Sequence, residues 1–162
     1  MRLPIQLLAF PYRIKNGAPE YLLLKRIPEK GGFWLTISGG YEETDTSLVD
    51  TCYREMKEEV DIGKGDVLNV NEVVYMYQFS EFIKNKQTSN YKNLASENIV
   101  LTVYVYGFQI KEDVEPKLLE EHTEYRWCNI QEGLDLLNFK DTEDCLQALH
   151  DTLVTDDATD RK

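Results

Sequence analysis

The sequence lacks the features of a disulfide-stabilised, zinc-binding or membrane-spanning protein. Its three cysteines are an odd number and form no CxxC pair, so neither a disulfide framework nor a cysteine zinc site is expected. We therefore expect reduced thiols and a cytoplasmic location. No apolar run approaches the roughly 20 residues that a membrane-spanning helix needs. The N-terminal stretch also lacks the length and cleavage pattern of a signal peptide.

The chain is also short of positive charge. It contains 18 lysines and arginines against 29 aspartates and glutamates, which gives a formal net charge of -11. Phosphate backbones and anionic lipids attract basic surfaces, so a nucleic-acid polymer and a membrane are not expected as partners. A small polyphosphate substrate stays compatible with this charge, because a bound divalent cation reverses the local field.

Strand-like and helix-like segments follow one another along the 162 residues, a length that suits one domain. Runs rich in β-branched and aromatic residues predict strands, and apolar residues at helical spacing predict helices. The order predicts an α+β domain with α/β/α layers over residues 1–154 and a polar tail at 155–162. The predicted strands are 5–14, 21–27, 33–38, 67–82, 98–110 and 123–130, and the predicted helices are 46–60, 130–137 and 141–153.

Local patterns add detail to these elements. Asn16-Gly17 predicts a tight turn between the first two strands. The helix at 46–60 has Thr44, Asp45 or Thr46 as its candidate N-cap. The polar segment 83–97, with Tyr91, is long enough to cover a substrate. Two apolar faces are expected on the helices: Val49, Cys52, Tyr53, Met56 and Val60 on one, and Leu146, Leu149 and Leu153 on the other.

Three glutamates share one side of the helix at 46–60. Glu55, Glu58 and Glu59 are spaced by three and four residues, which makes their side chains neighbours. One interpretation is a solvated face with Arg54 and Lys57 as local counterions. The other is a hard-cation site, because Mg²⁺ or Mn²⁺ takes carboxylate oxygens and bridges them to substrate phosphates.

A glycine pair favours the second interpretation. Gly39 and Gly40 end a predicted strand just before the acidic helix, and glycine lets the backbone approach a ligand closely. From Gly40 to Ile62 the chain resembles the Nudix box, G-x5-E-x7-R-E-U-x-E-E-x-G-U, where U is a bulky aliphatic residue. The other matching positions are Arg54, Glu55, Met56, Glu58 and Glu59, and Glu43 matches a frequent additional acid.

The match has two departures and extends beyond the box. Thr46 stands where the family has its first box glutamate, and Asp61 stands where it has glycine, although aspartate tolerates the left-handed conformation that ends a helix. Over roughly residues 3–150 the organisation resembles the branch that contains dihydroneopterin triphosphate pyrophosphatase, also described as a dATP pyrophosphohydrolase. The resemblance implies the Nudix fold, an α/β/α sandwich with a central mixed sheet flanked by helices.

The resemblance also implies roles for the box residues. Glu55, Glu58 and Glu59 would ligate Mg²⁺ or Mn²⁺, with Glu58 and Glu59 also serving catalysis. Arg54 would act in catalysis by holding a nearby carboxylate in place. The carbonyl of either glycine in the pair would complete the metal shell and help to bind the substrate.

The general base is predicted outside the box. Glu121 is favoured, because the related branch has an acid followed by histidine in this region. Glu120 and Glu124 compete with it, and Glu59 is a further alternative. His122 would assist as an acid or base near neutral pH.

Substrate contacts are predicted at three further positions. Arg26, at the end of a predicted strand, suits a bidentate contact to phosphate. Phe33 and Trp34 suit stacking on a base or a pterin, and we expect one of the two to belong to the core instead.

Three functions follow from the resemblance. The first is a metal-dependent pyrophosphohydrolase that acts on a nucleoside or pterin triphosphate and releases pyrophosphate. The second keeps this chemistry but acts on a dinucleoside polyphosphate or a nucleotide sugar. The third is a non-catalytic nucleotide-binding module, which the departures at Thr46 and Asp61 motivate. A homodimer is a further expectation, since dimers are common in this family.

Overall fold

The computed structural model describes residues 5–40, 45–78 and 100–160. In this part of the chain, seven strands and three helices follow the predicted order. The strands are β1 (Ile5–Lys15), β2 (Ala18–Arg26), β3 (Trp34–Leu35), β4 (Ile37–Gly40), β5 (Val67–Gln78), β6 (Val100–Ile110) and β7 (His122–Cys128). The helices are α1 (Leu48–Val60), α2 (Ile130–Leu136) and α3 (Lys140–Asp160), and short 3₁₀ turns occupy Pro28–Lys30 and Lys64–Asp66.

The strands form one mixed sheet in the order β3-β2-β1-β6-β5, in which β4 also pairs with β1 and β7 also pairs with β2. The pairing of β1 with β6 is parallel, and the other pairings are antiparallel. Residues 6–9 of β1 pair with β4, whereas residues 12–15 pair with β2. The same edge of β1 therefore carries both the hairpin strand and the strand that ends in the glycine pair.

The two faces of the sheet hold separate hydrophobic cores. Along β1, Leu7 and Ala9 pack with α1, whereas Leu8 and Phe10 pack with α3. This division follows from the alternation of side chains along a strand. The layers confirm the predicted α/β/α sandwich with a mixed sheet. The predicted apolar faces are also confirmed: Val49, Cys52, Tyr53, Met56 and Val60 join the α1 core, and Leu146, Leu149 and Leu153 join the α3 core.

Two turns confirm local predictions. Asn16 and Gly17 both have positive φ, 54° and 80°, and connect β1 to β2. A two-residue hairpin turn of this kind needs positive φ at both positions. Asp61 ends α1 with φ 58° and ψ 37°, and its carboxylate lies 2.6 Å from the Lys57 ammonium. Aspartate therefore adopts the left-handed conformation at the position where the box has glycine.

The start of α1 corrects a prediction. Its N-cap is Ser47, whose hydroxyl accepts a hydrogen bond from the Asp50 amide at 3.1 Å. Of the residues predicted for this role, Thr46 donates its hydroxyl to the Asp50 carboxylate and Asp45 lies beside Arg54. The helix consequently begins at residue 48, two residues later than predicted.

Other boundaries also differ from the predictions. The third predicted strand is divided into β3 and β4 at Thr36, whose hydroxyl donates to the Ala9 carbonyl at 2.7 Å. Helix α3 continues to Asp160, seven residues beyond its predicted end, so most of the predicted polar tail is helical. Glu43, Thr44, Tyr91 and the segment 83–97 lie outside the described residues. No helix in the described ranges is long and apolar enough to cross a membrane.

Candidate functional site

The glutamates of α1 and the predicted general base share one cavity. Its volume is about 430 Å³, and it lies between α1 and the segment that leads into β7. The lining residues are Glu55, Glu58, Glu59, Leu119, Glu120, Glu121 and His122. The structure therefore brings together acids that are about 60 residues apart in the sequence.

Backbone hydrogen bonds hold the segment before β7 against the rest of the site. The Lys117 amide donates to the carbonyl of Val60, the last residue of α1, at 2.9 Å. The Ile27 amide donates to the Glu121 carbonyl at 3.0 Å. The register between β2 and β7 shifts after Lys25, so that Arg26 lies opposite His122. Strand pairing thus fixes the position of Glu121 relative to α1.

Glu59 is the most perturbed acid of the cavity. Burial, and then the neighbouring Glu55, raise the pKa of Glu59 to about 8, although Arg26 partly opposes the shift. The Oε2 atom of Glu59 is buried and has no hydrogen-bond partner among the described residues. A buried carboxylate oxygen normally has a donor or a cation beside it, so this atom is a candidate ligand for a cation.

The guanidinium of Arg54 lies beside Asp45, which precedes α1, and beside two glutamates of α1, Glu55 and Glu58. Its Nη1 atom donates to Glu55 Oε1 at 3.1 Å and lies 3.7 Å from Glu58 Oε2. Its Nη2 atom lies 3.4 Å from the Asp45 carboxylate. Burial raises the pKa of Glu55, and Arg54 opposes that shift. The predicted contact between Arg54 and box carboxylates is thus present, while its effect on catalysis stays a prediction.

Gly39 brings the backbone of β4 against Glu55. A Cβ atom placed on Gly39 would lie 2.9 Å from Glu55 Cγ and 3.0 Å from its Cδ and Oε1 atoms. These distances are shorter than ordinary contacts, so any larger residue at this position would displace the Glu55 carboxylate. Gly40 continues β4 and pairs with Gln6. Participation of either glycine carbonyl in metal binding stays a prediction.

The lining residues fit a hard divalent cation by their chemistry. They offer carboxylate oxygens, the ligands that Mg²⁺ and Mn²⁺ prefer, and one of these oxygens is buried without a donor. Within residues 5–40, 45–78 and 100–160, however, no three His, Cys, Asp or Glu side chains already converge as a ligand set.

The candidates for the general base differ in their surroundings. Glu121 Oε1 accepts a hydrogen bond from Lys30 Nζ at 2.6 Å, and this bond is the main reason why the pKa of Glu121 is lowered. Glu120 lines the cavity, whereas Glu124 is outside its lining and lies 3.6 Å from the Lys25 ammonium. Among these three residues, Glu120 and Glu121 can reach a ligand in the cavity.

His122 is buried at the edge of the same cavity. Burial, followed by the positive charge of Arg26, lowers the pKa of His122, so the imidazole is neutral at neutral pH. Its Nδ1 atom, like the Nε atom of Arg26, is buried and has no hydrogen-bond partner within the described part of the chain. The two nitrogens and the Glu59 oxygen are therefore three buried polar atoms near this cavity that a bound ligand could satisfy.

A second cavity of about 270 Å³ lies beside the first, and two aromatic and two cationic residues are among the ten that line it. Phe33 and Phe139 line it, with ring centroids 5.0 Å apart in an edge-to-face arrangement, together with Arg26 and Lys30. Lys30 bonds to Glu121, so this ion pair connects the two cavities. Phe33 is 39% exposed, which leaves its ring accessible to a ligand.

Trp34 has a different environment from its neighbour. Its side chain packs against the α3 core, and the Arg126 guanidinium lies 5.2 Å from the ring centroid. Its backbone amide donates to the side chain of Asn138 at 2.7 Å. Trp34 lines neither of the two cavities, whereas Phe33 lines the second, and a substrate contact by Trp34 stays a prediction.

Lys30 and Phe139 were not anticipated from the sequence. Lys30 meets Glu121 across 91 residues of sequence, and Phe139 meets Phe33 from the loop before α3. The only signal for Lys30 was its closeness to Arg26 in a turn that ends in two glycines. Nothing local to Phe139 indicated its contact with Phe33.

Comparison with known proteins identifies the family. A model of the NUDIX domain matches residues 8–149. The bis(5'-nucleosyl)-tetraphosphatase (asymmetrical) of Sus scrofa is 29% identical over 142 residues, which cover 87% of this chain and 85% of that protein.

Solved structures share the fold. An Ap4A hydrolase binary complex from C. elegans superposes with a TM-score of 0.69 at 17% identity, covering 93% of this chain and 98% of that one. The E. coli dihydroneopterin triphosphate pyrophosphohydrolase superposes with a TM-score of 0.61 at 17% identity, covering 93% and 97%. As the stretch from Gly40 to Ile62 predicts, the chain belongs to the Nudix family of hydrolases, which act on phosphorus anhydrides.

Proposed function

We propose that the protein hydrolyses a dinucleoside polyphosphate by attack of water on its phosphate chain. The observation that carries the proposal is the pairing of two cavities. The first is lined mainly by carboxylates and is called the carboxylate cavity, and the second is lined in part by aromatic rings and cations and is called the aromatic cavity. A metal-bound phosphate chain suits the first cavity, and a nucleobase suits the second. Similarity to the tetraphosphatase of Sus scrofa supports a dinucleoside polyphosphate as the substrate.

The α1 glutamates would hold the metal that this chemistry needs. Glu55, Glu58 and Glu59 line the cavity from one helix, and the close approach of Gly39 limits where Glu55 can lie. The bound Mg²⁺ or Mn²⁺ would neutralise charge on the phosphate oxygens. Arg54 would restrict the rotamers of Glu55 and Glu58 through the contacts described above.

Arg26 would bind the phosphate chain from the opposite side. Arg26 lies opposite His122 in the sheet and lines the neighbouring cavity, and its charge acts on Glu59, Glu121 and His122. Its buried Nε–H has no acceptor among the described residues. A phosphate oxygen would supply that acceptor, with the fork geometry that guanidinium groups prefer.

Glu121 is the proposed acceptor of the proton from water. It lines the carboxylate cavity, and its lowered pKa keeps it ionised near neutral pH. Glu59 is the alternative, because its raised pKa suits proton transfer near neutral pH. A positive charge close to Glu59 would favour its ionised form.

A second candidate is hydrolysis of a nucleoside or pterin triphosphate with release of pyrophosphate. The segment Arg54–Val60 has the R-E-x-K-E-E-V pattern of the branch that contains dihydroneopterin triphosphate pyrophosphatase. The fold of the E. coli enzyme is also similar. A triphosphate would place its base or pterin in the aromatic cavity and its phosphates beside the α1 glutamates.

Product identity separates these candidates. With Mg²⁺ at a fixed concentration, we expect a dinucleoside tetraphosphate to give a nucleoside triphosphate and a monophosphate. We expect its kcat/KM to exceed those of dATP, dihydroneopterin triphosphate and ADP-ribose by roughly tenfold, because the second nucleoside of a dinucleoside polyphosphate adds binding contacts that these compounds lack (about 1.4 kcal/mol per tenfold). Chromatography of the products with time measures this. Faster formation of pyrophosphate from a triphosphate would favour the second candidate, and no cleavage of any compound would contradict both.

The aromatic cavity gives a separate prediction. Phe33→Ala should raise KM for the preferred nucleotide by roughly tenfold and leave kcat within about twofold, because stacking of a base on an aromatic ring contributes about 1–3 kcal/mol. Steady-state kinetics measure both parameters. Leu68→Ala is the control, since Leu68 is 59% exposed on β5 and lines neither cavity. An unchanged KM in the Phe33 variant would exclude base binding at this position.

A further inference from the structure

The ion pair between Lys30 and Glu121 lies on the boundary between the two cavities. Lys30 lines the aromatic cavity, Glu121 lines the carboxylate cavity, and their charged atoms are 2.6 Å apart. The side chains are 44% and 45% exposed. Ion pairs with this much exposure contribute little to stability, so either partner can be exchanged for another charged group at little energetic loss.

The backbone holds Lys30 close to the boundary. Lys30 ends the 3₁₀ turn of Pro28–Lys30, and Gly31 follows with φ 102°. A Cβ atom on Gly31 would overlap the Phe33 ring, so the turn packs directly under the aromatic wall. The amide of Ile27, which precedes the turn, bonds to the Glu121 carbonyl. The position of the Lys30 backbone is thus fixed, while its exposed side chain can rotate to bring the ammonium group to another nearby acceptor.

The charges around this boundary favour such an exchange. Five carboxylates line the first cavity, and an incoming phosphate chain adds further negative charge beside them. Arg26 and Lys30 are the cations that line the neighbouring cavity. A phosphate group offers the ammonium more negative charge and more acceptor oxygens than one carboxylate does.

We propose that Lys30 is a phosphate-binding residue, held by Glu121 in the free protein and transferred to the phosphate chain of the substrate on binding. The proposal rests on the proposed function in that it takes the substrate to be a polyphosphate. Transfer of the ammonium releases the Glu121 carboxylate to turn into its cavity, where the proposed function requires a proton acceptor. Lys30 therefore links occupation of the site by phosphate to the freedom of Glu121.

Binding of inorganic tripolyphosphate tests this exchange without a nucleotide. Isothermal titration calorimetry of the full chain at fixed Mg²⁺ measures its Kd in wild type, Lys30→Met and Glu121→Gln. We expect Lys30→Met to weaken binding by about tenfold, the effect of losing one charged hydrogen bond. We expect Glu121→Gln to strengthen binding by roughly threefold or more, because it removes the competing carboxylate and some negative charge. A purely structural ion pair would shift both variants in the same direction.

Two further variants complete the experiment. Lys25→Met removes a comparable ion pair, since Lys25 lies 3.6 Å from Glu124 with 38% and 53% exposure and lines neither cavity, so its Kd should match wild type. Lys30→Arg should bind within about threefold of wild type, because it keeps the charge. Unfolding temperatures verify that each variant is folded. Weaker binding by Glu121→Gln, or wild-type binding by folded Lys30→Met, would overturn the proposal.

The outcomes also separate this inference from the proposed function. If the protein binds tripolyphosphate with the expected pattern of variants but cleaves no nucleotide, the proposed function fails and the role of Lys30 stands. If it cleaves a nucleotide while Lys30→Met and Glu121→Gln bind tripolyphosphate as wild type does, the role of Lys30 fails and the proposed function stands.

Discussion

Replacing Glu59 by glutamine should lower kcat by roughly 10³-fold, within the range of about 10²–10⁴ for loss of a group that transfers a proton or holds the reacting centre. Glu59 lines the carboxylate cavity and carries its one buried oxygen without a described partner. Glu58→Gln should lower kcat by a comparable factor, since Glu58 is another of the three glutamates proposed to hold the metal. Glu112→Gln, at an exposed position before β7, should have no effect. Turnover of Glu59→Gln within tenfold of wild type would contradict the proposed site.

The same substitution should raise the stability of the metal-free protein at alkaline pH. The pKa of Glu59 is raised in the folded state from 4.5 to about 8. The unfolded chain therefore releases its proton first, so the contribution of Glu59 to stability is complete below about pH 4.5. It is lost as the pH rises to about 8. Glutamine has no such loss, so the unfolding temperature of Glu59→Gln should exceed that of wild type at pH 8–9 and approach it at pH 5.

Thermal unfolding of wild type and Glu59→Gln in the presence and absence of Mg²⁺ tests whether Glu59 holds the metal. Mg²⁺ should raise the unfolding temperature of wild type at pH 8, because a ligand that binds only the folded state stabilises it. It should raise that of Glu59→Gln much less. An equal response of the two proteins to Mg²⁺ would mean that Glu59 does not hold the metal.

Gly39→Ala should have the second large effect on activity, through the position of Glu55. The added Cβ would lie 2.9–3.0 Å from the side chain of Glu55, so the carboxylate has to move away from β4. We expect kcat to fall by roughly 10²-fold, since small displacements in a catalytic site reduce rates by such factors. We also expect the Mg²⁺ concentration that gives half-maximal activity to rise by about tenfold, which corresponds to roughly 1.4 kcal/mol of lost metal binding.

Gly63→Ala is the matched control for this prediction. Gly63 follows α1 with an extended backbone, φ −109° and ψ 175°, and a Cβ there would meet no atom within 4 Å. Alanine should therefore fit without strain and leave activity and Mg²⁺ dependence unchanged. Activity titrated with Mg²⁺ compares the two variants with wild type. If Gly39→Ala behaves as Gly63→Ala does, the contact between β4 and Glu55 has no role in the site.

Sequence patterns were sufficient where the determining interactions are local. The Asn16-Gly17 turn follows from the conformations that these two residues tolerate. The buried face of α1 follows from the helical spacing of its apolar residues. The glutamates of α1 could be placed together for the same reason, because a helix makes residues three and four apart into neighbours.

The N-cap of α1 shows where local patterns stop being decisive. Four consecutive residues, from Thr44 to Ser47, are all good capping residues, so propensity cannot choose among them. In the structure Asp45 lies beside Arg54, and Thr46 bonds to the Asp50 side chain. With Asp45 and Thr46 engaged in these contacts, Ser47 supplies the cap.

The aromatic pair before the box was ambiguous for a different reason. Both Phe33 and Trp34 suit stacking on a base, and one of the two was expected to belong to the core instead. Their division depends on where α3 packs, because the α3 core accepts Trp34 while Phe139 faces Phe33. Neither contact is visible within the local sequence.

The shift of register between β2 and β7 has a consequence for the alignment of related sequences. Between the pairs Lys25–Glu124 and Arg26–His122, Thr123 is one residue more than a regular ladder would contain. A related chain without that residue would form a regular ladder, in which the residue directly before the equivalent of Glu124 lies opposite the equivalent of Arg26. The equivalents of Glu121 and His122 would keep their orientations but lie one position nearer to the equivalent of Glu124 in sequence, so a gapless alignment would pair the acid with the wrong neighbour.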